Sequence, residues 1–266
     1  MRNFVRSIVL LLALGLSEPV LAGPLEDADA AYRKQDYTTA LRLAADQGDA
    51  GAQFNLGLMY DLGRGVPQDY AQAVKWYRLA ADQGYARAQN TLGVIYQVGL
   101  GVPQDYAQAV KWYRLAADRG DAEAQNNLGN MYDLGRGVPQ DYAQALKWYR
   151  LAADRGNAWA QINLGLMYDN GRGVPQDYAQ AVKWYRLAAD QGYAWAQNNL
   201  GNMYELGQGV PQDYVEAHKL FNLAAASVSS GDTRERAVKN RDRVAGMMTP
   251  AQIAEAQKRA GEWQPK

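Results

Sequence analysis

Apolar and polar positions alternate along this chain on two beats at once. The short beat is helical: over 70–82, Tyr70, Ala73, Val74, Tyr77, Ala80 and Ala81 fall three and four apart on one helix face, while Gln72, Lys75 and Asp82 fall off it and read as solvated. The long beat is 36 residues. The stretch GVPQDYAQAVKWYRLAAD at Gly65 returns unchanged at Gly101 and Gly173, with the single exchange Leu146 at Gly137, and as GVPQDYVEAHKLFNLAAA at Gly209.

Five full units therefore begin at Ala50, Ala86, Ala122, Ala158 and Ala194, each predicting two helices around a Gly-x-Gly-Val-Pro loop. Helix A runs from about Ala50 to Leu62. Helix B opens at Asp69, whose carboxylate caps free backbone amides, with Gln72 placed to close a capping box and Pro67 holding the entering chain extended. Gly84 supplies the left-handed residue that ends it. On helix A, Gln53, Leu56, Gly57 and Tyr60 are identical in every unit and share one face, the predicted packing face. Gly57 permits close approach, and the Tyr60 hydroxyl needs a partner. A helix pair of this size cannot bury its own apolar faces, so neighbours must stack upon one another.

The pattern A-x-A-Q-x-x-L-G-x-M-Y, then G-x-G-V-P-Q-D-Y-A-x-A-x-K-W-Y-x-x-A-A-x-x-G, resembles Sel1-like repeats, relatives of the tetratricopeptide repeat with a longer loop between the helices. The resemblance implies an all-α, right-handed α/α superhelical solenoid of stacked helix pairs, with helix A lining the concave side. It divides the chain into a leader (1–22), an N-terminal capping half-repeat (23–49) that echoes helix B in DYTTALRLAADQG, five repeats (50–226) and C-terminal capping helices (227–266). In the last segment Asp232 with Glu235, and Thr249-Pro250 with Gln252, read as helix starts.

The leader reading rests on Arg2 and Arg6 ahead of an apolar run from Ile8 to Leu16, too short to span a bilayer, with Val20, Leu21 and Ala22 at a cleavage site. A signal peptide of this kind predicts bacterial export, to the periplasm or beyond, and leaves no integral membrane segment after cleavage. The chain contains no cysteine, so an exported product relies on packing alone. Lys plus Arg and Asp plus Glu number 28 each, a balance that calls for neither nucleic acid nor an anionic surface.

Chemistry is sparse. There is no Gly-x-Ser-x-Gly elbow and no phosphate loop, and His218, the only histidine, cannot make a typical zinc site by itself. The Asp69-type carboxylates are accounted for as caps. The basic run Arg234, Arg236, Lys239, Arg241 and Arg243, interleaved with acids, reads as a solvated face. No catalytic residue, metal or cofactor is expected.

Positions that differ between units mark a second helix-A face, opposite the constant one, which the resemblance places on the groove. From the first two units it takes Phe54, Asn55, Leu58 and Asn90, and from the third Asn127 and Asn130. The fourth supplies Trp159, Ile162, Asn163 and Leu166, the fifth Trp195, Asn199 and Asn202. Trp159 and Trp195 read either as binding hot spots or as filler between units. The asparagine column Asn55, Asn127, Asn163 and Asn199 reads either as a grip on the main chain of an extended peptide or as bonding within the array. The resulting expectation is a non-enzymatic scaffold or adaptor holding a protein or peptide partner, in envelope assembly or signalling. The alternative is a binder of cell-wall glycan, or a hydrolase-like envelope enzyme, using the tryptophans as sugar platforms.

Overall fold

The computed structural model describes residues 37–228 and 231–265, which form thirteen α-helices and no strand. The leader and the first part of the capping half-repeat lie outside the described residues. Helix α1 (Tyr37–Asp46) precedes five helix pairs: α2 (Ala50–Leu62) and α3 (Tyr70–Asp82), α4 (Ala86–Val98) and α5 (Tyr106–Asp118), α6 (Ala122–Leu134) and α7 (Tyr142–Ala153), α8 (Ala158–Asn170) and α9 (Tyr178–Asp190), α10 (Ala194–Leu206) and α11 (Tyr214–Ser227). Two further helices follow, α12 (Asp232–Ala245) and α13 (Pro250–Gly261). The chain is an all-α helical repeat solenoid. It divides into two compact units, one ending at Met131 and including Gly135–Pro139, the other comprising Tyr132–Leu134 and the chain from Gln140 onward.

Local signals set the helix ends. Asp69 accepts a bond from the Gln72 amide at 3.0 Å, as its counterparts do, but the reciprocal Gln72 side-chain bond does not form, so only half of the expected capping box exists. Gly84 adopts φ +83°, and bonds from Gly84 N to Ala81 O and from Tyr85 N to Ala80 O close helix B in a Schellman turn. At the C-terminal end Thr249 and Gln252 form a full box, whereas Asp232 lies inside α12 behind Gly231 and caps nothing.

In the first unit the core gathers Phe54, Ala73, Val74, Tyr77, Ala88, Leu92 and Ile95, with Trp112. The constant residues of helix A explain themselves here. A Cβ on Gly93 would stand 2.4 Å from the ring of buried Tyr113, so the glycine is what lets α4 and α5 close upon one another. The Gln53, Gln89 and Gln125 side chains each donate to a carbonyl at the end of the preceding helix, Ala45, Ala81 and Ala117, adding a second bond to an oxygen that already accepts from the glycine amide of the turn. The Arg78 guanidinium donates to the Tyr96 hydroxyl, the partner that the constant tyrosine requires.

The second unit repeats these contacts. Gln161 and Gln197 cap Ala153 and Ala189, Arg150 and Arg186 donate to the Tyr168 and Tyr204 hydroxyls at 2.6 Å, and Gly165 meets Tyr185. The Tyr185 hydroxyl donates to Asp169 at 3.3 Å, and burial holds the Tyr149 and Tyr185 phenols protonated far above their ordinary range. At the fifth repeat this arrangement changes hands. Phe221 replaces the tyrosine and carries no hydroxyl, and the acid at the matching place, Glu205, takes a two-pronged bond from Arg243 of α12 at 2.8 and 2.6 Å.

Candidate functional site

The variable positions of helix A do not form one open face. The fifth helical position, occupied by Phe54, Asn90, Asn126, Ile162 and Asn198, is buried in all five repeats. Phe54 and Ile162, expected to face a guest, instead belong to the cores of their units. Phe54 packs its ring 5.5 Å from Tyr77 and 5.3 Å from Tyr85. The physical reason is helix geometry: this position lies next to the constant Gln53 at the seam where consecutive A helices meet.

Residues across that seam pair in different chemistries. The Arg87 guanidinium lies 5.3 Å over the Phe54 ring, and the Asn90 amide donates to Glu123 at 3.3 Å while its oxygen accepts from Asn127 at 3.1 Å. In the second unit Asn240 of α12 donates to Asn198 at 3.0 Å and to Asn202 at 3.3 Å, so the cap helix takes the place a sixth helix A would occupy. Asn90, Asn127 and Asn202 thus have partners within the array, and Thr91 bonds the Arg87 carbonyl of its own helix. Asn55 and Asn163 are half-buried. The Asn199 Nδ2 is buried with no protein partner, beside a crevice lined by Trp195, Thr233 and Arg236.

What remains open is the outer edge of each helix A. In the first unit Leu62 and Val98 are 52% and 57% exposed, with Val94 exposed beside them and Leu58 and Asn130 half-buried. In the second unit Trp159 and Leu206 are 52% and 61% exposed, joined by exposed Asn170 and half-buried Leu166. Trp159 stands edge-on to Tyr193 at 5.6 Å, whereas Trp195 is half-buried against the core. The composition of the strips suits apolar side chains with scattered amides. It offers neither a nucleophile nor an acid–base pair.

His218 is 2% exposed and fills the place of a helix-B aliphatic residue, with its Nδ1 unpartnered. Burial and the Arg241 charge hold its pKa below the usual imidazole range, against a smaller opposing pull from Asp242. Among the described residues no group of three or more His, Asp or Glu is gathered for a metal, and no helix is long and apolar enough to cross a membrane. Sequence reasoning missed the seam partners Arg87 and Glu123. Comparison of the copies carries little signal for them, since Glu123 gives way to Trp159 one repeat on while Asn90 is matched by another asparagine, Asn126.

The Sel1 repeat family model matches residues 50–85, 86–121, 122–157, 160–193 and 196–228. None of the curated proteins compared matches the chain. Among solved structures, a protective antigen of uropathogenic Escherichia coli with an SLR fold is 36% identical, superposes with a TM-score of 0.76, and is covered over 56% of its length by 91% of this chain. A Sel1 repeat protein from Oxalobacter formigenes is 30% identical with a TM-score of 0.75, the match covering 92% of this chain and 98% of that one. This chain therefore spans little more than half the length of the antigen. With five matched repeats and both likenesses extending over nine-tenths of its length, the chain belongs to the Sel1 repeat family.

Proposed function

We propose that this protein is an exported, non-enzymatic scaffold or adaptor that holds a protein or peptide partner against the open edges of its A helices. The carrying observation is the recurrence of exposed apolar side chains at one helical position: Leu62, Val98, Leu134 and Leu206 are exposed in four of the five repeats, while the constant residues of the same helices are buried or half-buried. Apolar surface repeated in register is what a soluble array keeps for a guest. The Sel1 fold supports protein interaction, and the likeness to a protein described as a protective antigen fits export.

The test uses the chain as immobilised bait against an envelope extract, compared with the double variant Trp159→Ala, Leu206→Ser. The reading expects a partner retained by the native chain and lost from the variant, each residue contributing more than about 1 kcal/mol, with unchanged helicity. Equal retention by both would place the partner elsewhere. Export is tested separately, by following whether the product accumulates in the envelope fraction without residues 1–22.

The Trp159–Tyr193 pair favours a second reading, in which an exposed indole backed by a phenol stacks on a sugar ring of cell-wall glycan. Co-sedimentation with purified glycan, abolished by Trp159→Ala, would select it.

A further inference from the structure

The second unit contains an internal control for one of its own clefts. Between α7 and α9 the Arg150 guanidinium lies 5.0 Å over the indole of Trp184, which is 3% exposed, and the same guanidinium donates to the Tyr168 hydroxyl. Trp112 and Trp148, the counterparts of Trp184 in earlier repeats, are buried too. Moving along the chain by one repeat converts Arg150, Tyr168 and Trp184 into Arg186, Tyr204 and Leu220. The arginine still donates to its tyrosine at 2.6 Å, but the indole is gone. Where it would lie, a cleft of about 130 Å³ opens, lined by Arg186, Leu200, Tyr204, Leu220, Leu223 and Trp263.

We propose that this cleft receives an aromatic side chain, of tryptophan class, presented by a partner polypeptide. Its twin one repeat earlier holds an indole carried on a polypeptide, so the shape is already that of a ring slot. The cation is in place: the bond to Tyr204 fixes the guanidinium that would lie over the face of the ring, a geometry favourable for cation–π attraction. Asp190, Glu216 and Lys219 also line the cleft, and of these Lys219 pairs with Glu216 at 2.9 Å. Trp263 follows α13 and lies beside Gly192 together with Pro265, so the chain's own indole walls the cleft without closing it. This site is formed by α9, α10 and α11 with Trp263 beyond α13; on α10 it uses the constant-face residues Leu200 and Tyr204 rather than the exposed edge, and it does not depend on what that edge binds.

The experiment titrates the full chain with 5-fluoro-N-acetyltryptophanamide, read by fluorine NMR. Saturable binding is expected. Arg186→Ala, an exposed position, should weaken it several-fold while leaving the fold intact. Leu220→Trp, which restores the residue of the other repeats, should abolish it without lowering the thermal midpoint. No saturable binding by the native chain would overturn the proposal. So would binding that survives Leu220→Trp, or that is indifferent to Arg186→Ala should the first variant fail to fold. Binding that appears only in Trp263→Ala would make the slot the tail's own seat, and would overturn it equally.

Discussion

Gly93 and Tyr113 show how single residues are fixed by what they touch. The added methyl of an alanine would fall well inside the van der Waals limit of a ring that is itself fully buried, so neither partner can yield without moving a helix. Gly93→Ala should destabilise the protein by about 2 kcal/mol or more, seen as a lower denaturation midpoint, while Gly48→Ala tests only the strain of a positive φ in open space. His218 makes the opposite case, a polar group where the other repeats carry valine or leucine. Its folded pKa is depressed, so between that value and the free-imidazole value the unfolded chain binds more protons, and stability falls as pH drops. His218→Val should therefore raise stability by about 1 kcal/mol or more at pH 5 and by less at pH 8. Parallel urea titrations at the two pH values measure this, and a gain equal at both would remove titration from the account.

At the scale of helices, α12 is held to the fifth repeat by a charge pair. With phenylalanine at 221, Glu205 is 6% exposed and its bonds come from Arg243. Arg243→Ala leaves that carboxylate buried and unpaired, at a cost of about 2 kcal/mol given the half-exposed arginine. Faster amide exchange confined to α12 and its contacts is the expected signature, and Glu205→Gln should restore much of the protection. The same scale shows what could be read in advance. The boundaries of α2 and α3 were legible because caps, glycines and 3.6-residue periodicity agree there. The role of Phe54 and Ile162 was not, because copies can differ for two physical reasons: a position may be open, or it may be buried against a partner that differs as well. Periodicity separates faces about 100° apart per step, and the seam lies at the border between the constant face and the open edge. Leu220 was legible in principle, as the one place where Lys-Trp-Tyr becomes Lys-Leu-Phe.

For the whole molecule, the repeat accounts for both its stability and its proposed use. Glutamine and arginine–tyrosine contacts join neighbouring pairs, and each pair is closed internally by its glycine against the facing ring, so the constant sequence is the sequence of the contacts that build the array. Helix B also exposes a recurrent leucine, at Leu79, Leu115 and Leu187, but the more exposed aliphatic residues, and Trp159, are on the helix-A edges. The central claim is that these edges carry the partner. The most direct measurement places a photo-crosslinking amino acid at Val98 or Leu206 on the helix-A edges, and at Lys111 or Lys183, exposed on helix B. The account predicts a common crosslinked polypeptide from both helix-A positions and none from the lysine positions. Crosslinking from the lysine positions alone would contradict it.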